Sequence, residues 1–418
     1  MDFLSYISNT FAPAITAFYY FWWIILPALL YFLFKLIWLD YIKKKWARSL
    51  QWTMLEIIPP KDLEKGPKPM ESIFHGLIGV VVTFTAWENY GMGMFTDRFS
   101  FELVSLGGEI HFYVRVQTKY RTMVESHIYA QYPDAEIRDV EDYVKSFPKV
   151  VPNKDWQLWG ADMELVEADP IPIRTYDKFE EDITGTMIDP LAGIVENMGA
   201  LPPEQNLWLQ FVLEPLPEKW KNEKKQKDLI AELAGRAKKE ENRFWQDFVD
   251  VFSNLFKGAL GPVEFKKAEK KEEQPLEFRL TPGEKEQLKA IEDNLGKNAF
   301  KTKMRFVYLG KKDGFSMSNT TAFFGAMRQF NDLNLNNIRP ENMSKTSAKY
   351  VGKDSILPRM KRKIYRRYVD RDMDGKKFVL STSELATLYH FPHMEVKTPA
   401  LNRVESKRGS APANLPIG

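Results

Sequence analysis

Residues Phe99 to Val116 read FSFELVSLGGEIHFYVRV, with hydrophobic side chains recurring at every second position on either side of a Gly-Gly pair. Phe99, Phe101 and Leu103 alternate with polar residues, and Ile110, Phe112, Val114 and Val116 alternate with Glu109, His111 and Arg115. Period-two alternation gives each strand one apolar face, and Gly107-Gly108 supplies the turn of a β-hairpin. Tyr120, Met123, Val124, Ile128 and Tyr132 then recur at helical spacing as far as Pro133, whose ring and missing N–H stop a helix. AEIRDV follows as a short strand, completing a β-β-α-β unit.

The same grammar returns downstream. A strand pair is expected within Trp156 to Tyr176, a helix over Asp189 to Met198 and a strand over Asn206 to Pro215. Glu218 to Phe256 is charged, helical in pattern and ends in the amphipathic FWQDFVDVFSNLF, while Glu264 to Phe278 has the charge and proline of a linker. Thr281, ahead of Pro, Gly and Glu, opens a helix to Asn294; Lys301 to Gly310 is a strand and Thr320 to Asn331 a second helix. Strands and helices mixed in this way predict an α+β fold of two or more small ferredoxin-like modules, joined by a long helix and a charged linker.

Ahead of these modules, Phe3 to Phe34 carries no charged residue. The segment Ala17 to Leu39 is apolar and aromatic over the length a membrane-spanning helix needs. A cleavable leader would place its basic residues before the apolar run, whereas here Lys43, Lys44, Lys45 and Arg48 come after it. Trp22, Trp23 and Trp38 suit the two interfaces. The cationic flank puts the N-terminus outside and the bulk of the chain in the cytoplasm. Ile73 to Trp87 is also apolar but short and interrupted by His75, which fits a core or surface element better than a second span. The expected division is an extracytoplasmic tail (1–16), a transmembrane helix (17–39), a basic juxtamembrane segment (40–70) and a first α+β domain (71–215). A long amphipathic helical segment (216–262), a charged linker (263–280), a second α+β domain with a basic helix (281–377), and a docking segment with a flexible tail (378–418) complete it.

Composition narrows the chemistry. The 418 residues include 59 basic and 56 acidic side chains, a net charge of +3, so a basic surface must be local. The absence of cysteine excludes disulfides, thiolate metal sites and cysteine nucleophiles. Each Gly-Lys pair lacks the Ser or Thr of a phosphate-binding loop, and neither HExxH nor Gly-x-Ser-x-Gly occurs. His390 and His393 form the lone histidine pair, with Pro392 between them and no acid-rich loop nearby, and are better read as packing than as ligands. No catalytic residue, cofactor or metal is expected.

The most polarised stretch is RMKRKIYRRYVDRD, which gathers Arg359, Lys361, Arg362, Lys363, Arg366 and Arg367 with Tyr365 and Tyr368 between them. Three readings stand: a solvated helix paired with nearby acids, a phosphate-gripping surface on which tyrosines stack bases, or a contact with anionic lipid.

Taken together, FSFELVSLGGEIHFYVRV, YRTMVESHIYAQYPDAEI and the C-terminal FVLSTSELATLYHFP with TPALNRVESKRGSAPANLPIG resemble the membrane-proximal, pre-ATPase region of conjugation-type, type IV secretion-like proteins, mainly from candidate-phyla bacteria. In those proteins the region precedes a HerA-like or conjugative ATPase domain. The resemblance implies a non-catalytic, membrane-anchored component of a DNA- or protein-translocating apparatus that tethers a separately encoded hexameric ATPase; a membrane-associated nucleic-acid-binding module is the alternative. Implied partners are the lipid bilayer, that ATPase, DNA and further copies of the chain. No ATP-site residue carries over, since the sequence reaches Gly418 near where the nucleotide-binding domain would begin. Within FVLSTSELATLYHFP, Ser381 or Ser383 caps a helix on which Leu385, Leu388 and Tyr389 share one face, expected to dock the partner.

Overall fold

The computed structural model describes residues 3–179, 188–217, 226, 280–347, 353–396 and 401–404. The helical segment and linker expected over 218–278 lie outside the described residues, apart from residue 226. Helix α1 (Phe3–Ser49) takes in the whole apolar run and the lysines after it. Its segment Trp22–Ser49 is long and apolar enough to cross a membrane, with mean hydropathy 1.9 over its most apolar window and none of that window buried.

Nine strands make one antiparallel sheet among the described residues. They are β1 (Trp52–Ile58), β2 (Phe99–Leu106), β3 (Glu109–Gln117), β4 (Glu136–Val140), β5 (Trp156–Leu165), β6 (Gln205–Pro215), β7 (Ala299–Lys311), β8 (Ile338–Pro340) and β9 (Phe378–Ser381). The order across the sheet is β4-β1-β3-β2-β6-β7-β5-β8, with β9 against the first residues of β7. The hairpin read from sequence is β2–β3, in register from Ser100↔Arg115 to Leu106↔Glu109. Its turn needs glycine twice: Gly107 and Gly108 have φ of 61° and 97°, and a Cβ on Gly107 would stand 2.6 Å from the Pro203 carbonyl oxygen.

The two halves of the sheet repeat one connectivity. With α2 (Lys68–Leu77) after β1 and α3 (Arg121–Gln131) after β3, strands β1 to β4 run β-α-β-β-α-β and stand in the order β4-β1-β3-β2. With α4 (Ala192–Gly199) after β5 and α6 (Met317–Met327) after β7, strands β5 to β8 run the same way and stand as β8-β5-β7-β6. Helix α5 (Pro282–Leu295), capped by Thr281 and Glu284, falls between β6 and β7. The halves join through β2 and β6, antiparallel from Phe99↔Leu213 to Leu106↔Asn206.

Alternation sends Phe101, Leu103, Phe112, Leu209, Phe211 and Phe306 to one face, where α2, α3, α4, α6 and α8 (Thr382–Leu388) complete the main core. Each such side chain contributes roughly 1.5–3 kcal/mol by leaving water. The opposite face is covered as well. Helix α7 (Lys353–Asp370) brings Ile364, Tyr365 and Tyr368 onto Val104, Tyr113, Leu158, Trp208 and Val307. Positions that alternation would give to solvent are therefore interior.

Three features differ from the expected organisation. The segment expected as a juxtamembrane link (40–70) contains β1, a central strand flanked by β3 and β4. The strand pair expected within Trp156 to Tyr176 is the single strand β5. The boundary placed at 263–280 does not separate one sheet from another, because β6 and β7 are hydrogen-bonded neighbours from Gln205↔Gly310 to Pro215↔Phe300. The chain leaves and returns at adjacent points, with the Leu216 amide bonded to the Ala299 carbonyl at 3.1 Å. Long excursions of this kind cost little loop-closure entropy.

Candidate functional site

The covered second face of the sheet holds two linked ionic clusters. In the first, Arg305 of β7, fully buried, engages every N–H it has. Its Nε donates to Asp162 Oδ1 at 2.7 Å, one terminal nitrogen to Gln210 Oε1 and the Arg367 carbonyl, and the other to the carbonyl and Oδ1 of Asp372. Lys303, two residues earlier on the same face, sits 2.7 Å from Asp162 Oδ2 and donates to the Lys376 carbonyl. Burial pulls the Lys303 ammonium below the ordinary lysine range, against the opposing charge of Asp162.

The second cluster centres on Glu102 of β2, which is fully buried. Oε1 accepts from Ser100 Oγ, Gln210 Nε2 and Arg371 Nε; Oε2 accepts from Tyr143 and from Arg371. Since the Tyr143 proton goes to Glu102, Tyr368 must be the donor in the 2.7 Å bond between the two phenols. Burial alone would raise the Glu102 carboxyl, but the Arg371 guanidinium, with Ser100 and Tyr143, outweighs it and holds the group below the usual carboxylate range. Arg371 also grips Asp142 through both terminal nitrogens. It stands just past the end of α7 with φ 49° and its amide bonded to the Tyr368 carbonyl. That left-handed conformation disfavours side chains with a Cβ; the guanidinium's partners offset the cost.

A catalytic acid, base or nucleophile needs an open lone pair or proton facing a substrate. Here Glu102, Asp162, Lys303, Arg305 and Arg371 are each engaged by the others' network and closed from water, with only Asp142, Arg367 and Asp372 partly exposed at its margin. The arrangement therefore acts as a latch that fixes the end of α7 and the approach to β9 onto the sheet. No cluster of three or more His, Cys, Asp or Glu side chains suited to a metal occurs among the described residues.

The basic stretch is helical but not uniformly available. Arg359, Arg362, Lys363 and Arg366 are exposed, with no ion-pair partner among the described residues. Lys361 is 8% exposed and bonded to Gln157 Oε1, and Arg367 turns toward Asp162 at 3.4 Å. Tyr365 and Tyr368 are core residues packed on Trp208, so neither can stack on a base. The four exposed cations and Lys149 border a cleft of about 470 Å³ whose apolar lining includes Val151, Tyr365 and Val369. Lys44 at the end of α1 feels the charges of Asp374 and Arg366 only weakly, after that of its neighbour Asp40.

The expected docking face is inside the protein. Leu385, Leu388 and Tyr389 are 1%, 2% and 1% exposed, and the Tyr389 ring packs edge-on against Phe101, Phe112 and Phe211. The face is used by the chain's own core because β9 adds to β7 and carries α8 onto α2. Of the two serines that the sequence offered as caps, Ser381 caps α8, in a reciprocal box with Glu384. Glu384 also accepts from the Ile173 amide, and burial pushes its carboxyl up to about 7 against the pull of its hydrogen bonds. His390 lies between the Ala386 carbonyl and Asp189 Oδ1, at 2.8 and 3.0 Å, a packing role.

In α1, Trp22, Trp23 and Trp38 are 51%, 61% and 41% exposed. Lys43, Lys44 and Lys45 are also exposed, with Lys44 paired to Asp40.

Glu102, Asp162, Arg305 and Arg371 escaped the sequence reading. Lys303 and Arg305 alternate with Thr302, Met304 and Phe306 as a solvent face would, and only the covering helix shows otherwise.

Residues 43–403 match the family described as Domain of unknown function (DUF8128), and the chain belongs to that family. The match begins within the lysine cluster at the end of α1 and covers all nine strands. No curated protein matches the chain.

Proposed function

We propose that this protein is a non-catalytic, membrane-anchored assembly component, whose α1 crosses the bilayer and whose sheet domain stands on the cytoplasmic side. The observation that carries the reading is the apolar window of α1, none of which is buried, followed by Lys43, Lys44 and Lys45. The saturated ionic clusters favour a rigid platform over a reaction site. In this reading each β-α-β-β-α-β half is a ferredoxin-like module, the second carrying an insertion between its middle strands. Resemblance to the pre-ATPase region of conjugation-type proteins supports a role for the platform in a type IV secretion-like apparatus, beside a separately encoded ATPase. Any docking surface for that ATPase lies elsewhere than Leu385, Leu388 and Tyr389. Alkaline extraction of membranes tests the anchor: the full chain should stay in the pellet and a chain starting at residue 43 should not. Release of both would refute the reading.

A second reading has its own observation, the cleft bordered by Lys149, Arg359, Arg362, Lys363 and Arg366. Five cations around an open cleft suit phosphate groups, so the domain would also hold nucleic acid. Affinity for DNA that falls steeply with salt would support it, and no binding at low salt would end it.

A further inference from the structure

Residues 81–95 read VVTFTAWENYGMGMF, and Glu88 is the single charged residue among them. Four large apolar or aromatic side chains of this short segment face outward: Val82, Trp87, Tyr90 and Met92 are 52%, 71%, 49% and 51% exposed. Four exposed apolar or aromatic side chains within one fifteen-residue segment mark a contact surface more than scattered single ones do.

Its position identifies what it contacts. The helical turn Glu88–Met92 packs on α1. Trp38 Nε1 donates to the Tyr90 carbonyl at 3.1 Å, and Lys35 Nζ stands 5.2 Å from the centre of the Tyr90 ring. Gly93, with φ 74°, comes so close to Ile42 that a Cβ there would lie 2.6 Å from its backbone carbon. These contacts span Lys35 to Ile42, about 10 Å of helix. That is the end of the apolar run, where Trp38 and Tyr41 are exposed and the lysines begin. A segment fixed there lies at the level where a bilayer's hydrocarbon gives way to headgroups, the depth that tryptophan and tyrosine favour. Glu88 is held by the amide and hydroxyl of Thr85 at 2.8 and 2.9 Å, which ties its carboxylate back to its own turn.

We propose that residues 81–95 form a second membrane contact, lying in the headgroup region with Val82, Trp87, Tyr90 and Met92 against lipid. The proposal rests on α1 being a membrane anchor. A domain held by one helix alone swivels about it; a second contact beside the helix fixes which side of the sheet domain faces the bilayer.

The absence of cysteine permits a direct test. Val82→Cys, Met92→Cys, Leu30→Cys and Leu333→Cys each carry one environment-sensitive fluorophore on the full chain, in liposomes of phosphatidylcholine and phosphatidylglycerol. All four sites are exposed, Leu333 at 101%, so no packed side chain is displaced. The Leu30 label should be quenched most by lipid spin-labelled deep in the acyl chain, and the Leu333 label by neither lipid. The Val82 and Met92 labels should shift to the blue and be quenched several-fold more by lipid labelled near the headgroup. Val82 and Met92 labels that behave like the Leu333 label while Leu30 is quenched would overturn the proposal and leave the anchor standing. An unquenched Leu30 label would remove the anchor, and the proposal with it.

Discussion

Arg371, one residue beyond α7, holds Glu102 of β2 in a two-point ion pair, Nε to Oε1 at 2.9 Å and Nη2 to Oε2 at 3.2 Å, and both side chains are closed to water. Removing one member of such a pair strands the other charge. Arg371→Ala should lower the unfolding free energy of the sheet domain by about 3–5 kcal/mol. Replacing both members, as Glu102→Leu with Arg371→Met, should recover some of that loss. Thermal unfolding of the full chain in detergent, followed by near-ultraviolet circular dichroism, checks both.

Glu384 gives the domain a pH dependence of unusual sign. Its folded pKa, about 7, lies above the ordinary glutamate value of about 4.3. The stabilisation is therefore complete below that ordinary value and is lost as pH rises through about 7, on the order of 3 kcal/mol in all. Glu102 and Asp189, whose pKa values are lowered, act in the opposite sense and lose their contribution as pH falls. Subtracting the unfolding profile of Glu384→Gln from that of the unaltered chain should isolate a decline between about pH 4 and 7. A flat difference would mean that Glu384 is ionised throughout.

Burial of Leu385 and Tyr389 predicts that the C-terminal segment is needed for folding. Leu385→Ala should cost about 2–5 kcal/mol, and a chain ending at Lys377, which loses β9 and α8, should fail to give a cooperative transition. A truncated chain that unfolds cooperatively at the original temperature would show that the segment is dispensable.

If the cleft beside α7 binds DNA, Arg362→Gln, Lys363→Gln and Arg366→Gln should each reduce the salt slope of binding by roughly one unit. Arg367→Gln should act through stability instead, because the Arg367 guanidinium faces the buried Asp162 carboxylate. Equal slopes for all four variants and the parent would place the contact elsewhere.

Local signals carried much of the fold. The alternation of Phe99 to Val116 located β2 and β3, Thr281 and one of the serine pair Ser381 and Ser383 marked true helix starts, and the uncharged run Phe3 to Phe34 marked α1. What stayed hidden is non-local. Nothing near Pro215 or Ala299 shows that these strands are neighbours, and WTMLEII looks like a link until β3 and β4 flank it. The buried clusters were illegible for a related reason. Glu102, Asp162 and Arg305 occupy the polar half of amphipathic strands, and their burial depends on α7, which lies far away in sequence. The same covering turned Tyr365 and Tyr368 from apparent stacking groups into core.

Protease protection in a bacterial host measures most directly whether α1 crosses the membrane with the sheet domain inside. With protease added outside intact cells, the large domain should survive whole, and it should be digested once the inner membrane is permeabilised. Digestion of the large domain in intact cells, down to a membrane-bound stub, would contradict that topology and the function proposed on it.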